Sequence, residues 1–224
     1  MELGKNTFCC ALPNSKSKVD GRAFKILPIQ AQPQVSKKTA HVLEHGGLII
    51  YPTDTVYALG CLSNNIDSLE RLANIKQIKL DKAPFSFFMR DFSDLSNYVR
   101  PLDNSTFKLL KRCLPGPYTF ILPCQKLHKP FQKRKSIGIR MAHHPLLEAL
   151  LDLLKAPLIT TSLHDEDEIL DYTTDSDKIY ERWESKIDLM LEDGYGRNVP
   201  STVVDLCSSV PKIVREGKGD LNLL

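Results

Sequence analysis

The sequence predicts a single domain in which a mixed β-sheet is covered by helices on its faces. Three observations lead there. The chain has 224 residues, and a chain of that size buries roughly 70% of the surface its unfolded form exposes, so it needs no disulfide or structural metal to fold. Its composition, 42% hydrophobic and 25% charged, is that of an ordinary globular protein and excludes a disordered or collagen-like chain. Strand-like and helix-like segments alternate without a fixed repeat. No run of about 18 apolar residues occurs: the densest stretch, Gly46 to Leu62, is broken by Pro52, Thr53, Asp54 and Thr55, which excludes a membrane span.

Residues 1–20 read as a flexible, polar extension without the apolar core of a secretory signal. Residues 21–224 read as the domain. Ala23 to Leu27 is a short strand, and Ser36 is suited to cap a helix reaching His45. Gly46-Gly47 ends that helix and opens the apolar strand Leu48 to Tyr51. Asn65 or Asp67 caps a helix in which Ile66, Leu69, Leu72, Ala73 and Ile75 recur at helical spacing. A strand at Phe85 to Met89 and a helix from Ser105 to Cys113 follow, the helix stopping before Pro115-Gly116-Pro117. Tyr118 to Leu122 and Ile137 to Met141 read as strands. Pro145 opens a helix to Leu154, and Leu158 to Thr161 is a strand. The acidic run Asp165 to Glu168 is a solvated loop. Asp175 caps a helix to Trp183, and strands close the chain at Ile187–Leu191, Thr202–Leu206 and Lys212–Val214.

Thirty Lys and Arg against 27 Asp and Glu leave a formal charge of +3, too little to mark a nucleic-acid binder without a local concentration. The six cysteines form no C-x-x-C pair or metal spacing. Cys61, Cys113 and Cys207 stand beside apolar residues, so they read as reduced thiols acting as small hydrophobes in a cytoplasmic protein.

Six clusters could carry chemistry. In Tyr51 to Gly60, two threonines and Asp54 are crowded between apolar runs, as turn caps or as ligand contacts. Pro115-Gly116-Pro117 makes a rigid turn. Arg140, near the end of an apolar strand, must be ion-paired or face an anion site, because burying it alone is costly. His143-His144 reads as a capping and packing pair. Thr160-Thr161-Ser162 brings hydroxyls off a buried strand. Ser201 to Asp205 and Val214 to Asp220 complete the set, and no G-x-x-x-x-G-K-[ST] phosphate loop is present.

Taken together, these clusters resemble the YrdC/YciO-like family, which includes the threonylcarbamoyl-AMP synthases of tRNA modification. The marks are Gly46-Gly47, Pro52-Thr53-Asp54-Thr55-Val56-Tyr57, Pro115 to Phe120, Arg140 with His144-Pro145, Thr161-Ser162, Ser201 to Asp205 and Arg215-Glu216-Gly217. Tyr57 to Cys61, Arg90-Asp91 and Thr161-Ser162-Leu163 look closest to the YciO-like branch. The resemblance implies an α+β, three-layer α/β/α fold with a twisted mixed sheet and a concave basic face. It also implies that L-threonine, bicarbonate and ATP, with Mg2+ on its phosphates, yield threonylcarbamoyl-adenylate and pyrophosphate. Lys76 would meet phosphate and Arg140 the threonine carboxylate or nearby phosphate, as the catalytic pair. Thr53, Ser162, His164, Ser201 and Arg215 would contact threonine or nucleotide. Catalysis would be placement and charge stabilisation, without a protein nucleophile. A tRNA-modifying transferase would be the downstream partner.

Three positions depart from the family pattern, one of them near Phe88, where the resemblance implies a histidine. The family's Lys-x-Arg reads Lys76-Gln77-Ile78, and its Ser-x-Asn reads Ser162-Leu163-His164. A lost guanidinium and a lost amide weaken a phosphate site by several kcal/mol. Lys126, His128, Lys129, Lys133, Arg134 and Lys135, with Phe131 among them, form either a solvated loop or an RNA-phosphate contact. Three readings follow: a synthase-like enzyme, a non-enzymatic paralogue binding double-stranded RNA or nucleotide, and a related enzyme with a different acceptor.

Overall fold

The computed structural model describes residues 24–26, 33–163, 174–208 and 210–224. His164, the acidic run Asp165 to Glu168, and residues 1–20 lie outside them. Ten strands form one mixed sheet: β1 (Phe24–Ile26), β2 (Ile49–Tyr51), β3 (Ala58–Leu62), β4 (Ser86–Phe88), β5 (Tyr118–Pro123), β6 (Ser136–Arg140), β7 (Leu158–Ser162), β8 (Leu189–Leu191), β9 (Thr202–Asp205) and β10 (Lys212–Arg215). Their order is β1-β8-β2-β3-β7-β4-β6-β5-β9-β10. The helices are α1 (Pro33–Glu44), α2 (Ile66–Ile75), α3 (Phe92–Tyr98), α4 (Asn104–Cys113), α5 (Pro145–Leu151) and α6 (Ser176–Trp183).

Strand alternation divides the core into two apolar layers. Ile50, Leu59, Cys61, Phe87, Phe120, Ile139, Ile159 and Met190 face one way, against Leu69 and Leu72 of α2, Leu95 of α3, Leu110 of α4 and Ile179 of α6. Ile49, Tyr51, Ala58, Leu62, Phe88, Leu158 and Leu189 face the other way, against Leu43 of α1 and Leu147 and Leu150 of α5. The result is the three-layer arrangement with a twisted mixed sheet that the resemblance implies.

Local signals explain most boundaries. The Asn65 side chain accepts from the Ser68 N–H at the start of α2, and Asp175 accepts from Asp177 and Lys178 at the start of α6. Asp103, two residues before the expected start at Ser105, caps α4 by accepting from Ser105 and Thr106. Four expectations need correction. Helix α1 begins at Pro33, whose missing N–H suits a first helical position, so Ser36 is a buried residue inside the helix and not its cap. The apolar run after Tyr57 is strand β3, paired on both sides. Helix α3 arises where the sequence reading had no element, with Asp91 accepting from the Ser93 N–H. Cys207 is exposed, whereas Cys61, Cys113 and Cys124 are buried.

Candidate functional site

The face carrying α1 and α5 changes character along the sheet. Over β8, β2 and β3 it is apolar and helix-covered. Over β7, β4, β6 and β5 small and polar residues share that face with Leu158, Phe88 and Ile121. The register sets Ser86 opposite both Thr160 and Gly138, and Phe88 opposite Arg140, so Ser162, Thr160, Ser86, Gly138 and Arg140 share one side. Thr119 of β5 joins them through its register, two residues from Ile121 opposite Gly138. Gly138 has no room for a side chain, since a Cβ would fall 2.6 Å from the Ser86 Oγ. The floor is therefore shallow and bears hydroxyls.

One wall is the β2–β3 loop, residues 52–57. In the sheet β6 lies four places from β2, roughly 19 Å if flat, so contacts from this loop to Arg140 run across the face and not around a strand end. The Arg140 Nη2 donates to Asp54 Oδ1 at 2.7 Å, to Thr53 Oγ1 at 3.2 Å and to the Thr55 hydroxyl. Thr53 Oγ1 donates in turn to the Val56 carbonyl at 2.7 Å. Of the two readings open for Arg140, the structure shows the ion pair. It also leaves room in it: Arg140 is 5% exposed, and its Nε and the Asp54 Oδ2 are buried without a hydrogen-bond partner. A buried donor and a buried acceptor are each costly unless something meets them.

The other wall is the segment after β10. The Arg215 guanidinium donates to the Ser201 carbonyl at 2.9 and 3.3 Å, and the Ser201 hydroxyl pairs with Thr119 at 2.8 Å. The Gly217 N–H donates to Thr202 Oγ1 at 3.1 Å, and Thr202 Oγ1 donates to the Gly219 carbonyl at 2.9 Å. A Cβ at Gly217 would fall 2.4 Å from the Pro200 carbonyl, so only glycine lets the segment press this closely. At a third corner, where Gln77 takes φ 54° beyond the end of α2, the Lys76 amine lies 3.4 Å from the Ser162 carbonyl. The six described site candidates thus fall into three groups: Thr53 with Arg140, Lys76 with Ser162, and Ser201 with Arg215. His164 lies outside the described residues.

The model of the Sua5/YciO/YrdC family, described as telomere recombination, matches residues 41–217. This chain belongs to that family. It is 38% identical over 205 residues to the uncharacterized protein YciO of Escherichia coli K12, covering 88% of this chain and 96% of YciO. The crystal structure of E. coli YciO superposes with a TM-score of 0.80, over 89% of this chain and 97% of that one. P. abyssi Sua5 complexed with L-threonine superposes with a TM-score of 0.76 at 23% identity, over 87% of this chain and 57% of Sua5, a likeness of fold.

Elsewhere in this Sua5/YciO/YrdC chain, the structure revises the basic loop after β5. Arg134 is half-buried, donating to the Ala83 carbonyl and stacking over Phe131 at 4.8 Å. Burial lowers its pKa, and Phe131 is itself buried. The Arg134 Nη2 is therefore a structural tie to the chain near Ala83, which takes that donor from any RNA-phosphate contact. Lys129, Lys133 and Lys135 remain exposed. His144 precedes Pro145 at the start of α5 without a side-chain cap, and its Nε2 lies 3.1 Å from Asp193 Oδ2. The half of the expectation that made it a cap is thus corrected. Lys218 is the residue sequence reasoning missed: its amine donates to the Asp54 carbonyl at 2.6 Å, joining the two walls. Nothing local in Gly217-Lys218-Gly219 announces a partner 164 residues away.

Among the described residues no helix is long and apolar enough to cross a membrane.

Proposed function

We propose that this protein is a threonylcarbamoyl-AMP synthase-like enzyme that combines L-threonine, bicarbonate and ATP and releases pyrophosphate. The observation that carries this reading is the hydroxyl-bearing stretch of sheet face between a loop bearing Thr53, held to Arg140, and a segment bearing Arg215. The fold's likeness to Sua5, which has been solved with threonine, supports it.

In this scheme the threonine amine captures CO2 or bicarbonate as a carbamate. A carbamate oxygen attacks the α-phosphorus, and pyrophosphate leaves. Arg140, with Thr53, orients the amino acid. Lys76 and Arg215 meet the nucleotide, and Ser162 and Ser201 offer hydroxyls. His164 would take the part of the family's asparagine. Rate enhancement comes from holding two anions in line and neutralising the charge that develops on the phosphates. Mg2+ would arrive on the phosphates and spread their charge. The described residues gather no group of three or more His, Cys, Asp or Glu to hold it alone, and Asp54 is engaged by Arg140. The adenylate would pass to a tRNA-modifying transferase. The test is pyrophosphate release from purified protein: it should require L-threonine and bicarbonate together, and release indifferent to either one overturns the proposal.

A second reading, a nucleotide- or double-stranded-RNA-binding paralogue without catalysis, is favoured by Ile78. Where the family motif has arginine, this side chain packs against the core. Duplex RNA binding that is steeply salt-dependent and unchanged by Lys76→Ala would support it.

A further inference from the structure

The backbone of Lys218 is held from several sides. Its N–H donates to the Pro200 carbonyl at 2.8 Å, the glycines beside it are tied to Thr202, and Tyr118 donates to the Asp220 carbonyl at 2.9 Å. From this fixed base its side chain reaches the opposite wall at Asp54. The charged groups that act on it are Arg197, Asp54 and Arg140: with the lysine itself, three cations against one carboxylate. That carboxylate is already spent on Arg140 at 2.7 Å. The lysine's pKa is lowered, first by desolvation and then by Arg197, with Arg140 adding to the effect and Asp54 opposing it. Arg140, which shares Asp54 with it, has a buried Nε donor with no partner. Lys218 and Arg197 are solvent-exposed cations. With Arg140, whose Nη2 bonds Asp54 as the Lys218 amine does, they form a surplus of positive charge that favours an anion.

We infer that Lys218 is a binding and positioning residue of this site: with Arg197 it receives a phosphate group of the ligand, while its tether to Asp54 holds the 52–57 loop against Arg140. This rests on the reading of the site as one for a phosphate-bearing ligand. A bound anion favours the charged amine, so the folded protein takes up a proton on binding wherever the free amine is partly neutral.

The test is calorimetric titration with ATP alone at pH 9, in two buffers of different ionisation enthalpy. ATP's own phosphates do not titrate there, since phosphate monoesters lose their last proton at about pH 6. Wild type should bind with net proton uptake. Lys218→Met should lose about tenfold or more in affinity and lose the uptake. Lys218→Arg should recover most of the affinity without uptake, since arginine does not titrate; that variant separates charge from a disturbed fold. Undiminished affinity in Lys218→Met, or uptake that survives in it, overturns the role of Lys218 while leaving the synthase reading standing. A wild type that binds no ATP overturns the synthase reading and this subsite with it.

Discussion

Two groups of basic residues in this molecule change places between sequence and structure. The loop of residues 126–135 concentrates lysine and arginine within ten positions, whereas Arg140, Arg197 and Lys218 are scattered through the chain. Yet the compact run disperses on folding: Arg134 turns inward onto a backbone carbonyl and a ring, and its lysines stand in water. Of the scattered cations, Arg140 and Lys218 both bond Asp54, and Arg197 acts on Lys218. Density of charge along a chain says little about a site. A fixed backbone and, at Arg140, a buried donor without a partner say more, even though Arg197 and Lys218 are themselves exposed.

The comparison can be broken or sharpened by substitution. The largest effect is expected at Arg140. Arg140→Ala strands a buried carboxylate and should lower stability by about 3–5 kcal/mol, read by urea denaturation. Adding Asp54→Asn should return part of that loss, and strict additivity of the two changes would show that the pair is not coupled. Arg134→Ala comes next, at about 1–3 kcal/mol, as a charge-assisted hydrogen bond and a ring contact are lost; it should leave the salt dependence of RNA binding untouched. A drop in that salt slope would return Arg134 to the surface. Smallest is the combined replacement of Lys129, Lys133 and Lys135 by alanine. It should change stability by no more than about 0.5 kcal/mol, and it should flatten the salt dependence of any RNA binding. A melting temperature several degrees lower would show that the loop is structural after all.

Much of the fold was legible, and for local reasons. Asn65 before Ile66, Leu69, Leu72 and Ala73 combines a cap with a helical stripe, and Asp175 does the same for α6; each signal lies within one or two turns of the element it specifies. The short α3 escaped notice because seven residues with one buried leucine, Leu95, make too few turns for a period to show. In β3, Gly60 and Cys61 between apolar neighbours did not read as a strand until the β2 and β7 pairings were seen. For the site, Arg140 was legible as a charge that needed a partner, but the partner was not. Asp54 lies 86 positions away and Lys218 another 164 from it, distances bridged only by a strand order that no local pattern encodes. His164, where the family's asparagine has been replaced, remains a reading of the sequence alone.

The place of β8 bears on how the chain reaches this state. It lies between β1 and β2, parallel to both, and the Leu48 N–H finds its acceptor in Asp188, 140 residues later. During synthesis, β2 therefore waits for most of the chain with one side unzipped, carrying Ile49 and Ile50, both fully enclosed in the finished molecule. An apolar ribbon left open for that long invites pairing with neighbouring chains. Nascent-chain quality control, more than equilibrium stability, would then govern how much of this protein a cell accumulates.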